Sequence, residues 1–306
     1  MRKWTPGRTL PRGGASSASV LPGLLLLLSV AGCTDRSNQD TKQESPETTN
    51  QEVTVEALAG EVDLGNRYPS TVLVVAQEPV SGKRFKGCSG VLLSPRWVLT
   101  AGHCVCPQRP APVPGDANGR IIDATACSAS ATIKVLSYLP MTPGEPSEVR
   151  ATSHQGKVHA HPELKLLLDA GGGIVSSHAD LALVFLEIPV KDAPPPPALA
   201  KTEVIPGEPI TVVGHGHDEL RGSMGGDRRF NTTRVVKRAE SGAARVVFEQ
   251  PNRNVYKGES GGPCLRETPQ GQELVGISSR SLGREPSFID THTFQGWILE
   301  RMQSAP

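Results

Sequence analysis

The 306-residue chain has almost no excess of charge: 32 Lys and Arg stand against 31 Asp and Glu, a formal net of +1. It also has no block of basic residues. Nucleic-acid binding needs clustered Lys and Arg to neutralise phosphates, so that class is set aside. Long apolar runs are missing too. The run Val20–Val30 contains Pro22 and Gly23 and falls short of the roughly 18–20 residues that a bilayer-spanning helix requires. Helix-period patterns are scarce, and aromatic residues make up only 4% of the chain, with none between Thr34 and Glu56. What is abundant is Gly (32) and Pro (27), which favours a turn-rich architecture of many short elements. At about 100–200 residues per domain, the length fits one large or two small domains.

The N-terminus reads as an address. Arg2, Lys3, Arg8 and Arg12 precede the apolar run, and Ala31-Gly32-Cys33 follow it. A basic start, a short apolar segment and small residues before a cleavage point describe a secretory signal peptide over residues 1–32. Val30-Ala31-Gly32-Cys33 resembles the bacterial lipobox, which implies lipidation of Cys33 and a membrane anchor. An ordinary signal peptide followed by a disulfide cysteine is the alternative. The expected location is the periplasm or cell surface of a bacterium, on the outer membrane rather than the inner because Thr34, not Asp, follows Cys33. Residues 33–56 have Val53 and Val55 as their only large aliphatics. Such a segment cannot bury enough apolar surface to offset chain entropy, and it is expected to be a solvated tether. The folded domain is expected over residues 57–303.

Candidate strands are Thr71–Val75, Gly90–Leu93, Trp97–Thr100, Ala131–Leu136, Leu181–Leu186, Ile210–Val213, Arg245–Phe248 and Leu274–Ser278, each rich in Val, Ile or Leu. Gly, Pro, Asp and Asn clusters separate them. The pattern predicts an all-β sandwich or pair of barrels. Pro194–Pro197 makes a stiff break near the middle. Phe294, Trp297, Ile298 and Met302 recur at helical spacing and predict one terminal amphipathic helix.

Three segments carry chemistry: Trp97-Val98-Leu99-Thr100-Ala101-Gly102-His103-Cys104, then Asp180-Leu181-Ala182-Leu183, then Gly258-Glu259-Ser260-Gly261-Gly262-Pro263. In these motifs and their order the chain resembles the trypsin/chymotrypsin family of serine peptidases. The resemblance implies two antiparallel six-stranded β-barrels with a C-terminal helix, divided near residues 190–200. It also implies His103, Asp180 and Ser260 as the catalytic triad. A serine hydroxyl is a poor nucleophile and needs a general base within hydrogen-bond reach, which His103 can supply. Asp180 would fix the imidazole tautomer and stabilise the imidazolium. The developing oxyanion needs preorganised donors, here the backbone N–H groups of Gly258 and Ser260. Ser279 resembles the family's serine that abuts the buried Asp, and Ser279-Arg280-Ser281 would form the edge that binds extended substrate. Asn254, six residues before Ser260, falls where trypsins carry an acid. A neutral amide cannot offset the desolvation of a buried cation as a carboxylate would, so no strong preference for Arg or Lys is expected.

The family also orders the cysteines. Cys88 and Cys104 match its bridge beside the catalytic His, and closing that loop is worth about 3 kcal/mol on the chain-entropy model. Cys106 with Cys127 is the next expected pair, and Cys264 is expected to be a buried reduced thiol. No cofactor and no metal site are expected: His154, His159 and His161 lack a matching Cys or carboxylate set, and His215-Gly216-His217 follows a strand where a turn is expected. Ser279-Arg280-Ser281 lacks the Ser-Trp-Gly of many relatives, so an altered substrate-binding edge is expected, and two further features depart from the family. Glu259 stands where most relatives carry Asp, and Ala57-Leu58-Ala59-Gly60, the only stretch like the family's activation site, has no Arg or Lys before it. The reading is a monomeric serine endopeptidase acting on protein or peptide substrates. Its alternative is a peptidase-like binding protein that keeps the fold and has lost turnover.

Overall fold

Val, Ile and Leu dominate the central strands because branched side chains pack well on a pleated surface. The computed structural model describes residues 60–77, 82, 87–139, 148–218, 223–224, 226–239, 244–250, 260–282 and 285–304. In the first half these are β1 (Thr71–Ala76), β2 (Cys88–Ser94), β3 (Trp97–Thr100), β4 (Ser130–Tyr138), β5 (Val149–Ala160) and β6 (Ala182–Leu186). Neighbours run β6-β3-β2-β1-β4-β5, and β5 pairs back to β6 to close a six-stranded barrel. The second half supplies β7 (Pro209–Gly214), β8 (Arg229–Arg238), β9 (Arg245–Phe248), β10 (Pro263–Thr268), β11 (Gly271–Leu282) and β12 (Glu285–Asp290). Their order is β8-β7-β10-β11-β12-β9, with β9 closing on β8. All pairings within both barrels are antiparallel. The architecture is therefore all-β, with two six-stranded barrels and the helix α1 (Gln295–Gln303) at the C-terminal end.

The aliphatic strands sit where the sequence puts them, with ends shifted by a few residues. The sixth begins at Ala182 rather than Leu181, because the Leu181 N–H turns back to the Ala179 carbonyl at 2.7 Å. Four barrel strands lack an apolar signature: β5, β8, β10 and β12. In β5 the one buried residue is Gly156, against which a Cβ would meet Val184 Cγ1 at 2.6 Å. That strand is held by its ladder and by close approach, with Val158 and Ala160 adding only partly buried apolar contact to the core. A further antiparallel sheet of Arg109–Pro110, Arg120–Asp123, Lys165–Leu168 and Ile174–His178 grows from the loops of the first barrel. Leu164, Leu166, Leu168 and Ile122 are buried there.

Two disulfides, Cys88–Cys104 and Cys106–Cys127, staple the loop after β3, and Cys264 is buried on β10 outside both bridges. The helix docks through Phe294 and Ile298, with Trp297 and Met302 packed on the same core. The His161 ring lies 5.1 Å from Phe294 and 4.7 Å from Trp297. No helix among the described residues is long and apolar enough to cross a membrane.

Ahead of β1, Glu61 and Val62 pair with Phe230 and Arg229 of the second barrel. The Asp63 carboxylate and the Arg228 guanidinium, both inaccessible to water, meet at 2.7 Å. Asp63 also accepts from the N–H groups of Arg67 and Tyr68. Arg228 also donates through Nη1 to the Leu136 carbonyl at 2.9 Å and through Nη2 to Asn66 Oδ1 at 3.0 Å. This segment thus ties both barrels together before the first one begins.

Candidate active site

After β3 the chain makes one tight turn, Gly102–Cys104, pinned by the Cys88–Cys104 bridge. Gly102 is needed there, because a Cβ would meet Leu164 at 2.7 Å and Asp180 Oδ1 at 3.2 Å. The turn brings His103 onto Asp180 twice: its backbone N–H donates to Oδ1 at 2.8 Å, and Nδ1 lies 2.7 Å from Oδ2. A carboxylate can only accept, so Nδ1 carries the hydrogen and Nε2 is left as the acceptor. Asp180 is wholly buried and receives a third bond from the Ser279 hydroxyl at 2.6 Å. Burial alone would raise its pKa. The charge and hydrogen bonds of His103, with the Ser279 bond, overcome that and hold the carboxyl well below the usual range.

Ser260 opens the turn into β10. Its carbonyl accepts from the Ser89 N–H at 2.8 Å and lies 3.6 Å from the Cys104 sulfur, which places it beside the His103 turn. Gly261 has φ +85°, and a Cβ there would overlap the Ser89 carbonyl and Thr100 Oγ1. Only glycine lets the loop pass so close to the first barrel. The Gly261 N–H donates to Ser278 O at 2.7 Å, and Ser278 N–H donates to Gly262 O at 2.8 Å. The loop is thus fixed to β2 on one side and β11 on the other. Arg280 and Ser281 continue β11 through an irregularity between Ser279 and Leu282. Gly258 and Asn254, with Lys257 and Glu259, lie outside the described residues.

Residues 88–277, more than half of the chain, match the family model of the trypsin-like peptidase domain. The chain belongs to the trypsin-like peptidase family. A serine protease of Anopheles gambiae, SP24D, is 26% identical over 229 residues, covering 72% of this chain and 70% of that protein. In this member of the family the other histidines among the described residues are dispersed. His154 bonds Thr152, His159 lies tilted against Trp97 with ring centroids 5.8 Å apart, and His161 joins the aromatic group under the helix. His215 is fully buried between the barrels: its N–H donates to Ser89 Oγ at 2.8 Å, and its ring lies 3.2 Å from Gly226 O and 3.4 Å from Thr71 O. Burial pushes its pKa down to about 4.

Two clusters among the described residues bring possible metal donors together. In Cys88, His103 and Cys104 the sulfurs are already joined in a disulfide. In Glu203, Asp290 and His292 the carboxylates hold Arg238, at 3.4 and 2.8 Å.

The main feature that motif reading misses is Arg245. Only 2% exposed, it reaches Ser279 Oγ at 3.1 Å and Ser177 Oγ at 2.7 Å through Nη2, and the Arg280 carbonyl and Ser287 hydroxyl through Nη1. Its signal in the sequence was a charged residue opening the apolar run Arg245-Val246-Val247-Phe248, where a buried strand has no use for an unpaired cation.

Proposed function

We propose that the protein is a serine endopeptidase that cleaves peptide bonds through His103, Asp180 and Ser260. The reading is carried by the buried hydrogen-bonded line from His103 Nδ1 through Asp180 Oδ2 to Ser279 Oγ, set beside the loop that presents Ser260. Family membership and the similarity to a serine protease support it.

His103 Nε2 takes the proton of Ser260 Oγ as that oxygen attacks the scissile carbonyl carbon. The carbonyl π bond opens onto oxygen, and the backbone N–H groups of Gly258 and Ser260 are assigned to hold the resulting oxyanion. Asp180 stabilises the imidazolium without taking its proton. The imidazolium then protonates the leaving amine, the C–N bond breaks, and an acyl ester remains on Ser260. Water repeats the sequence, giving its proton to His103 and releasing the acid. A fluorophosphonate probe tests this directly: it should label the wild type and leave Ser260→Ala unlabelled. Failure to label under any processing condition would leave the alternative, a binding protein on a peptidase fold.

The finer proposals follow from the sequence. Ser279, Arg280 and Ser281 bind extended substrate, and Asn254 at the pocket base gives no strong preference for Arg, which kcat/KM on paired Arg and Leu substrates measures. The protein acts as a monomer and needs no cofactor or metal. It is an exported bacterial lipoprotein held through Cys33, with residues 33–56 as tether and the outer membrane as its location. Loss of metabolic fatty-acid labelling in Cys33→Ser tests the anchor.

A further inference from the structure

Arg245 is placed where a cation is costly, and its surroundings say what it does. It sits at the start of β9 with almost no access to water. Every group it bonds is neutral: three hydroxyls and one carbonyl. Among the described residues no carboxylate is bonded to it. A buried guanidinium without a direct counter-ion needs a negative charge close by, and Asp180 supplies it from the far side of Ser279. The Ser279 hydroxyl has one hydrogen, which goes to Asp180 Oδ2 at 2.6 Å, so towards Arg245 Nη2 at 3.1 Å the same oxygen accepts. The order His103, Asp180, Ser279, Arg245 is therefore one continuous line.

We propose that Arg245 is a positioning residue for the catalytic dyad: its fork fixes the Ser279 hydroxyl on Asp180, and its charge lowers the proton affinity of His103. This rests on the endopeptidase reading above. The fork also reaches across the molecule. Ser177 belongs to the loop sheet of the first barrel and Ser287 to β12 of the second, so Arg245 joins the strand that leads into Asp180 to the strand edge proposed for substrate. The irregularity between Ser279 and Leu282 leaves the Arg280 carbonyl to Arg245 and to Ser287 Oγ at 3.0 Å.

Among the described residues on the elements packed around this line, His178, His161 and Arg238 have partners of their own. His178 meets Glu163 at 3.1 Å, and His161 lies among Phe294 and Trp297. On β8 and β12, Arg238 meets Asp290. The Arg280 side chain is half-buried at the site's edge. Among the described residues Arg245 is the cation whose hydrogen bonds run into the Asp180 carboxylate through one hydroxyl.

The test uses full-length protein carrying Ser260→Ala, with the His103 ring titrated by heteronuclear NMR, so that the readout does not need turnover. Arg245→Met and Arg245→Gln remove the charge. Gln keeps an amide donor and serves if Met fails to give a native near-UV spectrum. Both should raise the His103 midpoint by about one pH unit. Arg245→Lys, which keeps the charge and loses the planar fork, should stay within about 0.3 unit of the parent. In protein with Ser260 intact, the acid limb of kcat/KM should move to higher pH by the same amount in the neutral variants. Unchanged midpoints in those variants, or a shift in Arg245→Lys as large as theirs, would overturn the proposal. Fluorophosphonate labelling of the wild type separates the two readings: no label with a shifted midpoint sinks the endopeptidase and keeps the role of Arg245, whereas labelling with no shift does the reverse.

Discussion

Two of the Asp–Arg pairings among the described residues, both with a buried carboxylate and a buried guanidinium, are built in opposite ways. At the entrance to the first barrel, Arg228 Nε bonds Asp63 directly at 2.7 Å, and each of its other two nitrogens and each carboxylate oxygen carries a further bond. At the candidate site, Arg245 is kept from Asp180 by the Ser279 hydroxyl. The first arrangement is closed: both charges are consumed and nothing is left to do chemistry. The second leaves Asp180 Oδ2 for the imidazole. A guanidinium bonded bidentately to Asp180 would compete for the lone pairs that orient His103, so the intervening hydroxyl transmits part of the field while the carboxylate stays on its histidine. One carboxylate–guanidinium pair is a clasp and the other is a tuned component.

The sharpest way to break this comparison is to neutralise each aspartate. Asp180→Asn should keep the fold and lower kcat by roughly 10⁴-fold, because the amide favours the wrong imidazole tautomer; stopped assays against wild type measure it. Asp63→Ala should leave the active-site groups untouched and instead cost about 3–5 kcal/mol, since Arg228 is left as an uncompensated buried cation. Denaturant unfolding monitored by tryptophan fluorescence reads that loss. An Asp63→Ala protein that unfolds like the wild type would show that the clasp is not structural.

A smaller effect separates the region between the barrels from both pairs. His215 has its folded pKa depressed to about 4, against about 6.5 in an unfolded chain. Between these values the unfolded state binds the proton and the folded state does not, so stability falls as pH drops from about 6.5 to 4. His215→Gln should be less stable at neutral pH and should flatten that slope, as seen by melting temperature against pH. Asp180 acts in a lower window, its contribution disappearing as pH falls below about 3.8. The smallest effect belongs to the exposed pair Lys237–Glu285 at 3.1 Å. Glu285→Gln should change stability by no more than about 0.5 kcal/mol, in contrast to the buried clasp.

What was legible in the sequence followed the hydrophobic period. Thr71–Ala76 and Trp97–Thr100 announce themselves because almost every side chain is buried, and the helix shows its apolar spacing through Phe294, Trp297, Ile298 and Met302. β5 was not legible, since Val149–Ala160 is largely exposed and its register comes from pairing with β4 and β6. At the site, His103, Asp180 and Ser260 stand out because their neighbours form motifs. Arg245 stands in no motif; its meaning depends on Ser177 and Ser279, which are 68 and 34 residues away in the chain. Asp63 and Arg228 are harder still, at a separation of 165. A charge in an apolar stretch signals a partner without saying which one.

That separation has a consequence for the order in which the molecule can be made. Asp63 and its neighbours leave the ribosome long before Arg228 does, and at about 5–20 residues per second the wait across 165 residues is on the order of ten seconds. During that interval the first six strands can pair among themselves, but Glu61, Val62 and Asp63 have nothing to dock on. The nascent first barrel is therefore a finished ring with an open latch, and the arrival of β8, the second strand of the second barrel, is the event that shuts it.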